Sequence, residues 1–311
     1  MGKPLLSILI VSYNTRDMTI ACIDSVCEQT CRTPFEIIVW DNASHDSSAE
    51  AVSSRFHNSV RLIASNENIG FAAANNRAAK MALGNFLLLL NPDTVVLDGA
   101  IDKLIGFANA RSAAGIWGGR TVFRNGALNP SSCWQRQTLW SLSCQMTGLS
   151  SVFRRSNWFN PEGLGGWNRV GVRNVDIVSG CFLLIHGEIW NKLGGFSEEF
   201  FMYGEDADLC LRAQSLGVRP LITSDATIIH YGGASEPIRA DKLVRLLKAK
   251  SLLLERHLNP AYRQFGKWLL SMWPLSRYMV HNLLSRAGRK ASTEPRDAWR
   301  NVVTRKHEWT N

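Results

Sequence analysis

Three acids fall within four residues at Glu205-Asp206-Ala207-Asp208, opening a stretch whose apolar spacing is that of an amphipathic helix reaching about Gly217. Carboxylates at a helix start are stabilised by the N-terminal dipole and cap its unpaired N–H groups. Capping does not need three acids, which leaves a carboxylate for proton transfer. Asp41 ends an apolar run at 35–40, where a carboxylate either accepts hydrogen bonds from a ligand or caps a turn. Asn91-Pro92-Asp93 sharply breaks another apolar run at 86–90, and His230 follows Thr227-Ile228-Ile229. Carboxylate and imidazole are ligands for divalent ions, but strand-ending turns and packed histidines use the same residue types. From the residues alone both readings stay open.

The elements that must hold these groups alternate regularly. Leu5 to Val11 is a short apolar, β-rich run, and Asn14 or Thr15 is placed to cap a helix near 17–29. Strands are expected at 35–40, 60–64 and 86–90, with helices at 46–56 and 71–83 between them. This alternation predicts a mostly parallel α/β sheet with helices on both faces, which binds ligands at the carboxyl ends of its strands. Ser12-Tyr13-Asn14, Asp41-Asn42, Asn91-Pro92-Asp93 and the glycine loop 66–70 all fall at such ends. Residues 120–172 have no clear period and read as an insertion. A strand-like run at 174–185 follows, then a helix at 187–193, the acidic helix, and two short strands near 218–222 and 226–230. A helix at 240–258 leads into a Trp-containing tail.

The chain has 311 residues, 45% of them hydrophobic, and a formal net charge of +9. Residues 241–311 carry 15 basic and 5 acidic side chains, so the first 240 residues are close to neutral. A near-neutral body with a basic tail suggests chemistry in the one and attachment to something anionic through the other. The tail's Trp268, Leu269, Leu270, Met272 and Trp273, amid Lys and Arg, fit a segment lying on anionic lipid or a terminal helix pair packed on the domain. No apolar stretch approaches the roughly 20 residues of a spanning helix. The seven cysteines have no framework spacing and read as reduced thiols of a cytosolic protein.

No Gly-x-Gly-x-x-Gly follows the first strand and no Gly-x-x-x-x-Gly-Lys-Ser/Thr occurs, which argues against NAD enzymes and P-loop kinases. The blocks Val11-Ser12-Tyr13-Asn14, Val39-Trp40-Asp41-Asn42-Ala43-Ser44 and Asn68-Ile69-Gly70-Phe71-Ala72-Ala73-Ala74-Asn75-Asn76 resemble glycosyltransferase family 2. So do Leu90-Asn91-Pro92-Asp93, Val178-Ser179-Gly180-Cys181-Phe182, the run 200–209 through Gly204-Glu205-Asp206, and the strand-ending His230. These blocks cover about residues 5–235 in family order, and within the family they look most like bacterial rhamnosyltransferases of cell-surface polysaccharide assembly.

The resemblance implies a GT-A domain over 1–235, with an acceptor-side insertion at about 120–172, and a basic helical extension over 236–311. It implies an inverting, metal-dependent transferase that moves a sugar from a nucleotide-sugar donor to a glycan or lipid-linked glycan. The expected donor is dTDP-rhamnose; a UDP-hexose or UDP-galactofuranose is the alternative. In the family's pattern Asp41 holds the nucleoside, with Ser12, Tyr13 and Asn14 in the same pocket, and Asn68, Gly70, Asn75 and Asn91 line the donor site. Asp93 and His230 would hold Mg2+ or Mn2+; Asn91 stands where the family often has the first carboxylate of Asp-x-Asp. Asp206 would be the base, with Glu205 nearer the acceptor. The expected setting is cytoplasmic, peripheral on the inner face of the plasma membrane. A nucleotidyltransferase would need a Gly-rich basic loop after the first strand, which Ser12-Tyr13-Asn14-Thr15 does not offer. A basic-tail nucleic-acid-binding protein would leave the acid pair unexplained.

Overall fold

The computed structural model describes residues 2–232, 239–288 and 293–310. Its first half runs β1 (Leu6–Ser12), α1 (Arg16–Gln29), β2 (Phe35–Asp41), α2 (Ser48–Phe56), β3 (Val60–Ala64), α3 (Phe71–Ala79), β4 (Phe86–Leu90), β5 (Thr94–Val96), α4 (Ala100–Ala110) and β6 (Ile116–Val122). Then come β7 (Cys133–Trp134), α5 (Leu139–Thr147), α6 (Leu149–Val152), β8 (Val172–Asn174), β9 (Ile177–Val178), β10 (Phe182–His186), α7 (Gly187–Leu193) and α8 (Glu205–Ser215). The chain ends with β11 (Leu221–His230), α9 (Arg239–His257), α10 (Arg263–Arg286) and α11 (Thr293–Thr304). It divides into two compact units, one of residues 1–134 and 168–235, the other of 135–167 and 236–311.

The first unit is built on a sheet in the order β3-β2-β1-β4-β10-β6-β11-β5, with β8 pairing β11. β3, β2, β1 and β4 are mutually parallel, so the segments that leave them emerge along one edge. Every residue of β1 and β4 is buried, as expected of parallel strands covered on both faces. β10 then enters antiparallel between β4 and β6, which makes the sheet mixed. Leu6, Ile8, Ile10, Ile37, Val39 and Leu88 pack one face against Ile23, Val26, Leu104 and Ile105 of the helices.

The region expected as two strands near 218–222 and 226–230 is a single strand, β11. Its pairing with β6 shifts register between Thr223 and Thr227, so the polar Ser224-Asp225 step is a bulge. α1 gains its first hydrogen bond from outside: Thr15 stands at the N-cap without a side-chain cap bond, while Asp46 Oδ2 accepts from the Arg16 N–H at 2.9 Å.

The second unit is helical, with a core of Leu142, Leu247, Leu254, Leu269, Leu270, Trp299, Val302 and Trp309. The segment 135–167, which has no period in sequence, contributes α5, started by a capping box between Thr138 and Ser141. Leu269 and Leu270, two of the residues expected at a lipid surface, are 2% and 1% exposed and belong to this core. No helix among the described residues is long and apolar enough to cross a membrane.

Candidate active site

The parallel register aligns Ser12, at the end of β1, with Asp41, at the end of β2. Asp41 is buried; its Oδ2 accepts from the Ser44 N–H at 3.0 Å, and its Oδ1 receives no hydrogen bond within the described residues. A buried carboxylate oxygen without a donor is expensive, and a nucleoside N–H or hydroxyl is a donor that would satisfy it. Ser12 has spent its hydroxyl on Thr15 and Thr19 inside the fold, at 3.3 and 3.0 Å. Asn14 adopts φ +53 and ties the two loops together: its N–H donates to Ser44 Oγ, and its Oδ1 accepts from the His45 N–H. Tyr13 is half-buried. Of these four, Asp41 is the one with an unused buried acceptor, and Ser12 and Asn14 shape the loops around it.

Asn68 and Gly70 are organised by Asn42, which sequence reasoning passed over although it adjoins Asp41. The Asn42 amide donates to Asn68 Oδ1 at 2.8 Å and accepts from the Ile69 N–H at 3.0 Å. Gly70 has φ +83, and a Cβ there would lie 2.5 Å from the Phe201 carbonyl oxygen and 2.7 Å from its ring. That carbonyl also accepts the Phe71 N–H that opens α3. Asn75 is buried and donates back to Phe71 O within its own helix, so its amide serves α3. Its neighbour Asn76 reaches further, bonding both backbone groups of Phe196 and the Glu198 carboxylate. The glycine loop and the segment before α8 are thereby fastened together.

Asp93 and His230 come together at the ends of their strands. His230 Nε2 is 3.3 Å from Asp93 Oδ1, both residues are buried, and Nδ1 is 3.1 Å from Ser131 Oγ. Asp93 Oδ2 accepts from the Gly232 N–H and its carbonyl from the Tyr231 N–H, which pins the start of the following loop. Burial disfavours the imidazolium, but the adjoining Cys181 and Asp93 outweigh it and raise the His230 pKa to about 10. Asn91 Oδ1, two residues from Asp93, is buried without a hydrogen-bond donor among the described residues. Once an ion displaces the His230 proton, carboxylate, imidazole and amide oxygen form a donor set suited to Mg2+ or Mn2+. No group of three or more His, Cys, Asp or Glu among the described residues is arranged to enclose a metal. An ion at Asp93 and His230 would therefore take its other ligands from the substrate or water, as a catalytic ion does.

The acid pair lies at the start of α8, after Gly204 at φ +88. Asp206 Oδ2 accepts from the Gly180 N–H at 2.9 Å and Oδ1 from the Ala207 N–H at 2.7 Å. The next residue, Cys181, accepts the Asn91 N–H, so one short segment joins the Asp206 carboxylate to the end of β4. Burial raises the pKa of both acids. Backbone N–H bonds oppose the rise at Asp206, whereas Glu205 is pushed well up by burial and then by the Asp206 charge. Glu205 Oε2 is buried and receives no hydrogen bond within the described residues. Asp208 is committed elsewhere, 2.7 Å from Arg212 Nε, with Arg212 also donating to the Leu193 and Gly195 carbonyls. Two neighbouring acids with divergent environments are the condition for one to work ionised while the other stays protonated.

The structure thus adds Asn42, Asn76, Ser131 and the Gly180 N–H to the residues the sequence offered. Gly180 and Asn42 sit within motif blocks already noted; Ser131 lies in the aperiodic stretch and had no signal.

Comparison with known proteins identifies the family and the fold. The family model of glycosyl transferase family 2 matches residues 7–176, more than half of the chain. The O-antigen biosynthesis protein RfbC of Myxococcus xanthus is 28% identical over 248 residues, 78% of this chain but 18% of that protein's own length. An N-acetylglucosaminyl-diphospho-decaprenol L-rhamnosyltransferase of Mycobacterium tuberculosis is 27% identical over 277 residues, 83% of this chain and 87% of that one. A mannosyltransferase of Pyrobaculum calidifontis, solved with GDP-Man and Mn2+, superposes with a TM-score of 0.59 at 16% identity, covering 99% of this chain and 86% of that one. With a sheet of the GT-A type and a family model matched over more than half of its length, the chain belongs to glycosyl transferase family 2.

Proposed function

We propose that this enzyme transfers a sugar from a nucleoside diphosphate donor to an acceptor hydroxyl in one displacement, with inversion at the anomeric carbon. Its donor is read as dTDP-rhamnose and its acceptor as a lipid-linked glycan. The relative named as an L-rhamnosyltransferase of a diphospho-decaprenol glycan, matched along most of both chains, supports both choices. A UDP-hexose remains the competing donor.

The observation that carries the mechanism is the asymmetry of the acid pair. Two backbone N–H bonds fix the Asp206 carboxylate and favour its charged form, while Glu205 beside it is driven toward the protonated form. Asp206 then takes the proton of the acceptor hydroxyl as that oxygen bonds to the anomeric carbon. The bond from that carbon to the β-phosphate oxygen breaks, and the nucleoside diphosphate leaves. Protonated Glu205 donates a hydrogen bond to the acceptor sugar. Asp41 accepts from the nucleoside, and the loop held by Asn42, Asn68 and Gly70 walls the donor sugar. Asp93 and His230, with Asn91 beside them, would hold Mg2+ or Mn2+, which when bound would supply positive charge to offset that of the diphosphate. A fold neighbour solved with GDP-Man and Mn2+ supports the ion.

Thermal-shift measurements against a panel of nucleotide sugars, with and without Mg2+ or Mn2+, test this reading. Saturation at about 100 times Kd should stabilise by about 2.7 kcal/mol, for dTDP-rhamnose and only with the ion. A panel in which no nucleotide sugar shifts the midpoint would contradict it.

A further inference from the structure

The helical unit carries more than the whole of the chain's net positive charge: nineteen basic against seven acidic residues, compared with sixteen against nineteen in the sheet unit. It also exposes large rings in an ordered arrangement. Phe153, Phe159, Trp140 and Trp158 form a chain, with centroids 5.0, 6.3 and 5.9 Å apart in turn. Trp140 Nε1 donates to the Trp158 carbonyl at 2.7 Å, and the Asn160 amide donates to the Arg154 carbonyl, so the loop that presents them is built. Yet Trp158 is 70% exposed, Phe153 46% and Val152 74%. Arg154 and Arg155, between the rings in sequence, are exposed as well. On α10 a second pair, Phe265 and Trp268, stacks at 5.6 Å and is about half exposed, while Gly266, Leu269 and Leu270 of the same helix are buried.

We propose that this unit docks on an anionic bilayer, inserting Phe153, Trp158, Phe265 and Trp268 into the interface while Arg154 and Arg155 meet lipid phosphates. Indole and phenyl rings next to arginine are the composition of an interfacial anchor, apolar for the acyl boundary and cationic for the headgroups. Charge chooses the occupant: a second copy would bring the same strongly basic unit against this one, whereas an anionic surface complements it. The anchor keeps Trp268 of the one expected in the tail but not Leu269 and Leu270, which are core residues, and adds the rings of the 153–159 segment. Its purpose rests on the lipid-linked acceptor proposed above, since docking brings the enzyme to where such an acceptor resides. Its test does not depend on that reading.

The full-length chain is co-sedimented with phosphatidylcholine vesicles holding 0 or 30% phosphatidylglycerol, at low and moderate salt. Nucleoside diphosphate binding is measured on every variant. Wild type should pellet with the anionic vesicles, less so as salt rises. Phe153→Ser with Trp158→Ser, and separately Phe265→Ser with Trp268→Ser, should each lower partitioning about tenfold or more. Arg154→Gln with Arg155→Gln should lower it about five- to twentyfold on anionic vesicles alone. Unchanged circular dichroism and melting temperature in these variants exclude misfolding of the helical unit, and nucleotide binding, read separately, keeps a failure here apart from a failure of the proposed activity. Wild type remaining in the supernatant overturns docking. So do ring variants that pellet equally well, or ring variants whose only change is a loss of dimer on size exclusion, which would assign the face to a second copy.

Discussion

An amide at position 206 keeps the size of the carboxylate but can accept from only one of the two N–H groups, Gly180 or Ala207, that hold it. Asp206→Asn should therefore lower turnover by about 10²–10⁴-fold, with nucleoside diphosphate affinity within about twofold of wild type. Single-turnover kinetics and calorimetry read the two quantities apart, and near-normal turnover would move the base to Glu205. Because burial raises the Asp206 pKa and the base must be ionised, kcat should climb with pH along a limb above the usual carboxylate range. Stability has the opposite sign. A carboxyl whose folded pKa exceeds its unfolded value contributes fully below the unfolded pKa, and that contribution is lost as pH rises through the folded one. Glu205→Gln, neutral throughout, should therefore melt higher than wild type above neutral pH, with the gain shrinking toward pH 4. Asp93→Ala and His230→Ala should each weaken ion-dependent nucleoside diphosphate binding at least about tenfold. The double variant should lose far less than the sum, because both act through one ion. Unchanged binding in His230→Ala would remove that residue from the ion site.

Single elements explain what was legible beforehand. β4 matches its expected bounds because a fully buried parallel strand is a continuous apolar run, whereas β3, an edge strand with Arg61 exposed, matches them through its β-rich Val60, Leu62 and Ile63. α3 ends at Ala79, not at the expected 83, since Met81 and Ala82 already make turn bonds to Ala78 and Ala79. β11 looked like two strands because a bulge places polar residues mid-strand, and pattern alone does not distinguish a bulge from a break. Among site residues, the acids and His230 stand out by type. The roles of Asn42, Asn75 and Asn76 depend on which partner each amide reaches, and adjacent identical residues give no hint of that. Gly70 provides the test at this scale. Alanine there would add a left-handed backbone strain of about 1–3 kcal/mol and a Cβ against the Phe201 backbone. Gly70→Ala should lower the urea midpoint and reduce turnover more than Asn75→Ala does. Equal stability to wild type would show that the loop yields and that the close approach is not needed.

Across the whole molecule, the sheet unit holds every residue assigned to the reaction and is slightly acidic, while the helical unit holds the basic excess. Residues 135–167 fall in the helical unit although some seventy residues of the sheet unit lie between them and α9 in sequence. Their short helix packs against partners in α10, and a pairing so distant leaves no local period to read. Family membership identifies a glycosyl transferase, and the proposed reaction adds a specific stereochemical outcome. The most direct check supplies the enzyme with dTDP-rhamnose, Mg2+ or Mn2+ and a diphospho-polyprenyl glycan, then analyses both products by mass spectrometry and NMR. One deoxyhexose should be added per nucleoside diphosphate released, with the anomeric configuration inverted, and Asp206→Asn should add almost none. Retained configuration, or release of pyrophosphate or a sugar phosphate in place of nucleoside diphosphate, would contradict a single displacement with Asp206 as base.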